Sequence, residues 1–331
     1  MDTIDDPIRW GILGTAAIAR DAFLPALREA GDGVAVAVAS RDGARAEAWA
    51  ADQGVRRGVA RYERVVTDPE IEAVYIPLPN GLHAEWTIAA LEAGKAVFCE
   101  KPLCGTVQET ERVLATARAS VGPLWEAFVF PFHEQMDRVR KMLDDGVIGR
   151  VGEIQSRFHF VLDDPKDIRL FAELAGGSIQ DVGCYPIRLA RLLFDADPDL
   201  SRAIADAEWI GNGADTELWG ALVFPDDRRL VFSCGFRTAF DTFTRVFGTE
   251  GEIRMTNPFH PGNDDQLIVM HDDEVQSQSG APAGEYSFTP ALRHIHRAVR
   301  GLEPPRHLAV DEAMGNATAI EALLSSARGR I

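Results

Sequence analysis

The sequence has few cysteines and no recognisable metal-ligand spacing. No C-x-x-C pair or zinc-type histidine cluster occurs, and its four cysteines stand far apart or in unrelated contexts: Cys99, Cys104, Cys184 and Cys234. Thiols in such a pattern usually stay reduced, as in the cytoplasm. The sequence therefore predicts neither a disulfide framework nor a metal site.

Basic residues and long apolar runs are scarce as well. Lys and Arg number 34 against 51 Asp and Glu, a formal net charge of −17. Nucleic acids and anionic membranes are bound by basic patches, so this balance disfavours both as partners. No stretch reaches the roughly 18 consecutive apolar residues of a membrane span, and the segment 1–9 lacks the apolar core of a signal peptide. We therefore expect a cytoplasmic protein.

Strand-like and helix-like segments alternate through the first part of the chain, whose 331 residues suffice for about two domains. Such alternation predicts an α/β fold with a doubly wound parallel sheet, the Rossmann arrangement. The expected strands are Ile8 to Leu13, Val34 to Ala39, Ala73 to Ile76, Ala96 to Cys99 and Leu124 to Val129. The expected helices are Ala16 to Ala30, Gly43 to Gln53, His83 to Ala93 and Thr106 to Ala119.

The pattern changes after about residue 122. Apolar and polar residues alternate in Val151 to Leu162, and turn signals separate further expected strands at Leu218 to Phe224, Leu230 to Phe236 and Thr244 to Gly248. We predict a dinucleotide-binding Rossmann domain over residues 1–122. An α+β domain with an open, mainly antiparallel sheet is expected over 123–331, where it binds substrate and forms the oligomer contact.

A glycine turn follows the first expected strand. Gly14, Thr15, Ala16, Ala17, Ile18 and Ala19 form a G-x-G-x-x-G pattern in which alanine takes the second and third glycine positions. Gly14 permits the tight turn, and the small Ala16 lets a pyrophosphate approach the backbone. The free N–H groups of the next helix favour that anion. An ordinary β-α turn is the alternative, which the flanking strand-helix-strand pattern disfavours.

The end of the second strand distinguishes between two dinucleotides. An NAD enzyme usually carries Asp or Glu there for the ribose hydroxyls. This chain has Ser40 and Arg41 instead, with Arg45 one helical turn further on. A hydroxyl and guanidinium groups suit a 2′-phosphate, so NADP(H) is predicted over NAD(H). Asp42 leaves NAD(H) open, because a small change of register brings its carboxylate to the ribose.

After the next strands comes Glu100-Lys101-Pro102, and here the chain resembles the Gfo/Idh/MocA family of glucose–fructose oxidoreductase and inositol dehydrogenase. In that family an E-K-P segment follows the nucleotide-binding strands, and its lysine lies beside the nicotinamide and the substrate oxygen. The resemblance covers nearly the whole chain. It includes the stretches Ile76-Pro77-Leu78-Pro79-Asn80, Trp125-Glu126-Ala127, Gly176-Gly177-Ser178 and Asp181-Val182-Gly183-Cys184-Tyr185.

The resemblance implies an oxidoreductase acting on a sugar-like carbonyl or alcohol. Its tyrosine branch, which includes dihydrodiol and sugar dehydrogenases, carries tyrosine at the place of Tyr185. A tyrosine hydroxyl titrates near pH 10, so it needs a nearby cation to exchange protons at neutral pH. Tyr185 is thus the expected proton donor or acceptor and Lys101 its partner, although the reverse assignment stays open. Asp181 is expected to bind a substrate hydroxyl, to tune Lys101, or to cap a helix.

The resemblance also extends the expected cofactor contacts to Pro77, Leu78, Asn80, His83, Glu100 and Arg169, besides Lys101 itself. His83 is equally compatible with a structural role at the start of a helix, and Arg169 with a surface salt bridge. Many family members have arginine near Pro131. This chain has an aromatic run instead, which suits a less polar, deoxygenated sugar.

Several functions remain open at this stage. A keto-sugar reductase is favoured, and a xylose- or dihydrodiol-type dehydrogenase is the alternative. A non-catalytic NADP-sensing protein is disfavoured because the lysine and the tyrosine are both present. A zinc hydrolase suggested by His294-x-His296 and His133-Glu134 fits no zinc spacing. Family members associate through the open sheet, so a homodimer or homotetramer is expected.

Overall fold

A computed structural model of the chain describes residues 6–262, 264–280 and 285–329. The chain divides into two compact units built from interleaved segments. The first unit comprises Met1–Val129 and Glu285–Met314, and the second comprises Phe130–Gly284 and Gly315–Ile331. The predicted division into a cofactor-binding domain (1–122) and a substrate-binding domain (123–331) remains a prediction. The compact units differ from it because the segment 285–314 packs with the first sheet.

The first unit contains a six-stranded parallel sheet flanked by helices. Its strands are β1 (Ile8–Leu13), β2 (Gly33–Ser40), β3 (Arg57–Ala60), β4 (Ala73–Ile76), β5 (Ala96–Cys99) and β6 (Leu124–Glu126). Its helices are α1 (Leu24–Ala30), α2 (Gly43–Gln53), α3 (Glu63–Val66), α4 (His83–Glu92), α5 (Val107–Ala119) and α8 (Thr289–Val299). The strand order β3-β2-β1-β4-β5-β6 reverses direction between β1 and β4, which confirms the Rossmann arrangement.

Apolar side chains on both faces explain why the central strands form. The segment Val36–Ala39 of β2 and all of β4 and β5 are buried, as expected for parallel strands covered by helices on each side. The edge strand β3 was missed by sequence reasoning, because Arg57 and Gly58 interrupt its apolar character and it is only partly buried. Strand β6 is shorter than expected and ends at Glu126.

Two helices begin with a π turn rather than a regular α turn. One π turn, Ala19–Phe23, precedes α1, and the other, Ile179–Gly183, precedes α7 (Cys184–Phe194). Pro25 and Pro186 lie just beyond them and cannot donate the N–H of a regular α-helical bond. Such widening is a known consequence of a broken hydrogen-bond ladder, and it often occurs near functional residues.

The second unit contains an eight-stranded mixed sheet. Its further strands are β7 (Val151–His159), β8 (Asp199–Trp209), β9 (Asp215–Val223), β10 (Arg229–Gly235), β11 (Thr244–Gly248), β12 (Glu252–Met255), β13 (Gln266–His271) and β14 (Glu274–Gly280). Its order is β14-β13-β12-β11-β7-β10-β9-β8; among the described residues, β7 and β10 pair in parallel and the other neighbouring strands pair antiparallel. The mainly antiparallel sheet is therefore confirmed. The remaining helices are α6 (Glu134–Asp144) and α9 (Ala309–Arg328), the latter running from the first unit's segment into the second's.

One face of this sheet is covered and the other is open. Ile154 and Phe158 of β7 are buried with Phe232 of β10, on the face that packs against α7. On the opposite face, Trp219 and Val231 are 49% and 42% exposed. The alternation of buried and exposed residues is the pattern of an antiparallel sheet with one accessible side.

The two histidines of α8 have structural partners. His296 lies against the Asp32 carboxylate through Nδ1, and its Nε2 accepts the indole N–H of Trp10 at 2.9 Å. His294 pairs with Glu303 at 2.5 Å and accepts a backbone N–H at 2.9 Å through Nε2. Within the described segments, no group of three or more His, Cys, Asp or Glu side chains is placed to hold a metal ion. Nor does any helix there have the length and apolar character needed to cross a membrane.

Candidate cofactor and catalytic sites

The glycine turn lies at the carboxyl edge of the parallel sheet. Gly14 follows β1 with a φ of +104°, and its N–H donates to the carbonyl of Ala39 at 2.8 Å. A Cβ added there would come within 3.1 Å of Leu78 Cδ2. Glycine thus provides both the left-handed turn and the open space that a pyrophosphate needs. The turn is followed by exposed Ala17 and Ile18, where the helix begins with free N–H groups.

Arg45 lies beside this turn, and Arg41 is the other predicted phosphate-binding arginine. Arg45 donates from Nε to Thr15 Oγ1 at 2.9 Å, so its guanidinium is tied to the glycine turn. Arg41 and Arg45 are both exposed, and both act electrostatically on Tyr62, whose pKa is raised mainly by burial. Arg45 and the Thr15 hydroxyl therefore lie together at the helix N-terminus, and Arg41 shares the surroundings of Tyr62 with Arg45. Guanidinium groups, a hydroxyl and a helix N-terminus suit a phosphate monoester.

Asp42 has a different role from the one that would favour NAD(H). Its carboxylate caps α2 by accepting the N–H groups of Ala44 and Arg45 at 3.0 and 3.3 Å. Its own N–H lies 3.3 Å from Ser40 Oγ. Since the carboxylate is committed to the helix N-terminus, a ribose hydroxyl would have to compete with those two bonds.

The turn that carries Lys101 is held by side chains from two strands. Tyr75 of β4 donates its hydroxyl to Glu100 Oε1 at 2.6 Å. The buried Glu126, at the end of β6, accepts the N–H of Leu103 at 2.8 Å. The Lys101–Pro102 peptide bond is cis. Glu100 and Glu126 therefore fix the backbone on either side of the predicted catalytic lysine.

His83 links this turn to the loop after β4. The ring is fully buried, with Nδ1 2.9 Å from the carbonyl of Pro102 and Nε2 2.7 Å from that of Leu78. Burial lowers its pKa, opposed by the two carbonyls. A neutral ring donates to only one of the two oxygens, so the other contact is not a hydrogen bond. His83 thus connects the Leu78 loop, which contacts the glycine turn, to the lysine turn.

In the second unit, Arg169 is bracketed by two carboxylates. Its Nε donates to Asp181 Oδ2 at 2.9 Å, and its Nη1 lies 3.1 and 3.2 Å from the oxygens of Asp167. The nearby Asp181 is the main cause of the raised pKa of Arg169, opposed by burial. Because its charge is already matched, a cofactor phosphate would have to compete with both carboxylates for this arginine.

Tyr185 is the second residue of α7 and lies in an aromatic environment. It is only 5% exposed. Its ring centroid lies 5.1 Å from that of Phe259, 5.2 Å from Phe158 and 5.5 Å from His260. Phe130 is further away at 6.3 Å. Of the aromatic run that the sequence singled out near Pro131, Phe130 contributes to these surroundings, and the nearer rings come from other segments.

Sequence reasoning missed several residues that build these sites. Glu126 appeared only as part of a matching motif, and Tyr75 only as part of a strand. Phe259 and Asp215 were not singled out at all. The sequence offered one signal, an acidic residue at the end of an apolar run, as in Leu124-Trp125-Glu126. An acid in such a position usually has a partner, because unpaired acids are seldom buried.

Comparison with known families decides the affiliation of the chain. The family described as "Oxidoreductase family, NAD-binding Rossmann fold" matches residues 8–128, and the "GFO/IDH/MocA C-terminal domain" matches residues 136–254. The chain belongs to the Gfo/Idh/MocA family of oxidoreductases. Both the family and the enzyme class expected from the sequence are thereby confirmed.

Characterised members of the Gfo/Idh/MocA family resemble the chain over most of its length. D-xylose 1-dehydrogenase (NADP(+)) 2 of Haloferax volcanii is 34% identical over 321 residues, which cover 96% of this chain and 97% of the relative. The dTDP-3,4-didehydro-2,6-dideoxy-alpha-D-glucose 3-reductase of Saccharopolyspora spinosa is 34% identical, with 90% of each chain covered.

A solved member of the family has closely similar coordinates. The 3-ketoreductase from Actinomadura kijaniata, in complex with NADP and TDP-benzene, superposes with a TM-score of 0.88 at 30% identity, covering 97% of this chain and 98% of that one. The same enzyme has been solved with a lysine changed to alanine and with a tyrosine changed to phenylalanine.

Proposed function

We propose that this oxidoreductase uses NADP(H) to interconvert a carbonyl and an alcohol on a sugar-like substrate, most naturally as a keto-sugar reductase. The observation that carries the proposal is the lysine turn. Lys101 lies on a backbone fixed by Glu100 and Glu126, and His83 connects that turn to the loop that contacts Gly14. A lysine whose backbone is fixed in this way, on a turn linked to the glycine turn, is suited to orient a reacting oxygen.

The proposed chemistry divides hydride from proton. NADPH, when bound, supplies the hydride that reaches the carbonyl carbon. Tyr185 donates its hydroxyl proton to the carbonyl oxygen, and the Lys101 ammonium stabilises both the tyrosinate left behind and the negative charge that develops on the oxygen. In the oxidative direction Tyr185 accepts the same proton. The aromatic rings around Tyr185 exclude water from the phenol and strengthen these electrostatic effects.

Asp181 is proposed to bind a substrate hydroxyl. Its carboxylate is oriented by Arg169 and belongs to the same helical segment as Tyr185, four residues before it. Arg169 itself is proposed to contact the cofactor or the substrate from the far side of that ion pair. The roles of Pro77, Leu78 and Asn80 as backbone contacts to the dinucleotide follow from their position after β4, at the carboxyl edge of the sheet.

A dehydrogenase that oxidises a pentose is the second candidate. The similarity to the xylose dehydrogenase of Haloferax volcanii supports it, and the reductases of deoxysugar formation support the first. The aromatic surroundings of Tyr185 favour a deoxygenated ring, which presents fewer hydroxyls to be satisfied.

The decisive experiment begins with fluorescence titrations of NADPH and NADH, followed by a panel of keto-sugars, nucleotide-linked keto-sugars, pentoses and dihydrodiols followed by nicotinamide absorbance. Tyr185→Phe and Lys101→Met are each expected to lower kcat by about 10² to 10⁴ while NADPH binding survives. Tyr286→Phe is the matched control, since it removes an exposed hydroxyl outside the described sites. Wild-type turnover in Tyr185→Phe would refute the assignment, and NADPH binding without turnover on any substrate would favour a sensor.

The open face of the eight-stranded sheet is proposed to pair with a second copy of the chain. Exposed Trp219 and Val231 lie on that face, and the Arg157–Asp241 ion pair, 2.6 Å long, lies nearby. A patch that carries apolar side chains and both signs of charge can complement itself across a two-fold axis. Light scattering is expected to show a dimer or tetramer for the wild type and a smaller species for Trp219→Asp. A monomeric wild type would contradict the proposal.

A further inference from the structure

Asp215, the first residue of β9, is a buried carboxylate that the proposed chemistry does not use. It is 2% exposed. Its Oδ2 accepts the hydroxyl of Ser178 at 2.5 Å and the N–H of Ile179 at 2.9 Å. Burial raises the pKa of this carboxyl, and the hydrogen bonds from Ser178 and Ile179 oppose that rise. Ser178 and Ile179 both donate, which is the arrangement that an ionised carboxylate requires.

This carboxylate caps a helix to which it does not belong in sequence. The π turn Ile179–Gly183 and α7 form one continuous helical segment, and Ser178 occupies its N-cap position. A serine in that position usually accepts a backbone N–H itself. Here the Ser178 side chain makes no capping bond, and its hydroxyl is donated to Asp215. The cap is therefore supplied by a neighbouring strand.

Two glycines allow this approach. Gly177 has a φ of +125°, and a Cβ on it would lie 2.3 Å from Asp215 Oδ1. A Cβ on Gly176 would lie 2.5 Å from the carbonyl oxygen of Arg169, which also accepts the Gly177 N–H at 2.8 Å. The start of the helix is thus confined between the Arg169 backbone on one side and the Asp215 carboxylate on the other.

The residues that this helix carries make the confinement important. Asp181 lies in the π turn and Tyr185 at the second position of α7. Six residues separate Ile179 from Tyr185, about 9 Å along a helix. A displacement or rotation of the helix start therefore moves the phenol. A misplacement of about 1 Å at a reacting group costs on the order of 100-fold in rate.

We propose that Asp215 is a positioning residue for catalysis, which sets the axial position of the Asp181–Tyr185 helix through Ser178 and Ile179. The inference rests on the proposed function of Tyr185. It also gives a reason for the Gly176-Gly177-Ser178 motif, because only glycines leave room for the carboxylate and the Arg169 carbonyl.

Asp215→Asn tests the proposal in the full chain. The carboxylate accepts the backbone N–H groups of Ser178 and Ile179 as well as the Ser178 hydroxyl. An asparagine has one oxygen, and its amide nitrogen cannot accept a hydrogen bond, so the helix start loses at least one of these bonds. We expect kcat to fall about 100-fold, with KM for the sugar and Kd for NADPH changed less than about threefold, and with a larger solvent deuterium isotope effect because proton transfer becomes slower. Ser178→Ala, a milder change, is expected to lower kcat about tenfold in the same manner.

Asp197→Asn is the matched control. It removes the negative charge of a carboxylate whose oxygen lies 2.7 Å from Arg191 Nε, at the other end of α7. A structural loss there is expected to lower thermal stability and leave kcat within about threefold of the wild type. If Asp215→Asn and Ser178→Ala retained the wild-type kcat, or if Asp197→Asn lost as much, the proposal would be wrong. Should Asp215→Asn fail to fold, Ser178→Ala alone decides by the same criterion.

The failure of the proposed function would be seen separately, as a wild type that turns over no substrate. In that case crystal structures decide the positioning role. The inference requires Asp181 and Tyr185 to shift in Ser178→Ala and to stay in place in Asp197→Asn. Unshifted side chains in Ser178→Ala would overturn it.

Discussion

Replacing Arg41 and Arg45 by alanine is the sharpest test of the cofactor preference. Both guanidinium groups are exposed, and Arg45 is already oriented by its bond to Thr15. A charge-assisted hydrogen bond contributes about 1.5 to 3 kcal/mol, and solvent exposure places these at the lower end. With 1.4 kcal/mol for each factor of ten, each substitution is expected to weaken NADPH binding about tenfold.

The double variant is expected to lose about 100-fold for NADPH if the two contributions add. NADH lacks the 2′-phosphate, so its Kd is expected to change less than about threefold. Fluorescence titration of both nucleotides measures this, and raised salt is expected to reduce the wild-type preference because exposed charges are screened. Arg56→Ala is the control, since that arginine lies just before β3 and pairs with Glu70, away from the glycine turn. Equal losses for NADPH and NADH would refute 2′-phosphate recognition and leave only stacking on adenine.

Two further predictions concern stability. Asp42→Ala removes the cap of α2 and is expected to lower the free energy of unfolding in urea by about 1 kcal/mol, whereas Asp42→Asn retains the cap. The affinity for NADH is expected to stay unchanged in both variants. A selective loss of NADH affinity would instead place the Asp42 carboxylate on the ribose. Burial lowers the pKa of His83, His159 and His294. As pH falls through about 6.5, the unfolded chain takes up protons that these rings refuse, so the urea midpoint is expected to decrease between pH 7.5 and 5.5. A constant midpoint would contradict the burial of these rings as neutral groups.

The regular part of the fold was predictable because its signals are local. Helix α2 has the predicted bounds, and so do strands β1, β4 and β5. Apolar runs bounded by glycine, and amphipathic segments with a capping residue such as Asp42 or Thr106, identify such elements without tertiary information. The doubly wound topology then follows from their alternation.

The elements that were missed depend on tertiary context. Strand β8 contains Asp199, Arg202 and Glu208 and is mostly exposed, so its sequence has no clear period. Strand β14 is largely polar and exposed. Both exist because a neighbouring strand provides the backbone hydrogen bonds, and that pairing is invisible in the sequence of either strand.

The candidate sites show the same division. The glycine turn, Lys101 and Tyr185 were found from motifs, because a motif records residue types at fixed spacing. The residues that hold them were not found: Glu126 and Asp215 act through contacts 23 and 36 residues apart in sequence. Arg169 was found, but its pairing with Asp181 was not, since an arginine in a loop has many equally plausible partners.

The interleaving of the two units has a consequence for how the chain is made. Phe288, which precedes α8, packs its ring 6.3 Å from that of Tyr75 and 6.0 Å from that of Phe98. During translation the first 129 residues leave the ribosome long before this aromatic cover and the Trp10–His296 contact become available. Part of the apolar core of the nascent Rossmann sheet therefore stays uncovered until the eight-stranded sheet has been synthesised. An engineered fragment that ends at β6 would leave that apolar surface permanently exposed. We expect such a fragment to aggregate rather than to bind nucleotide.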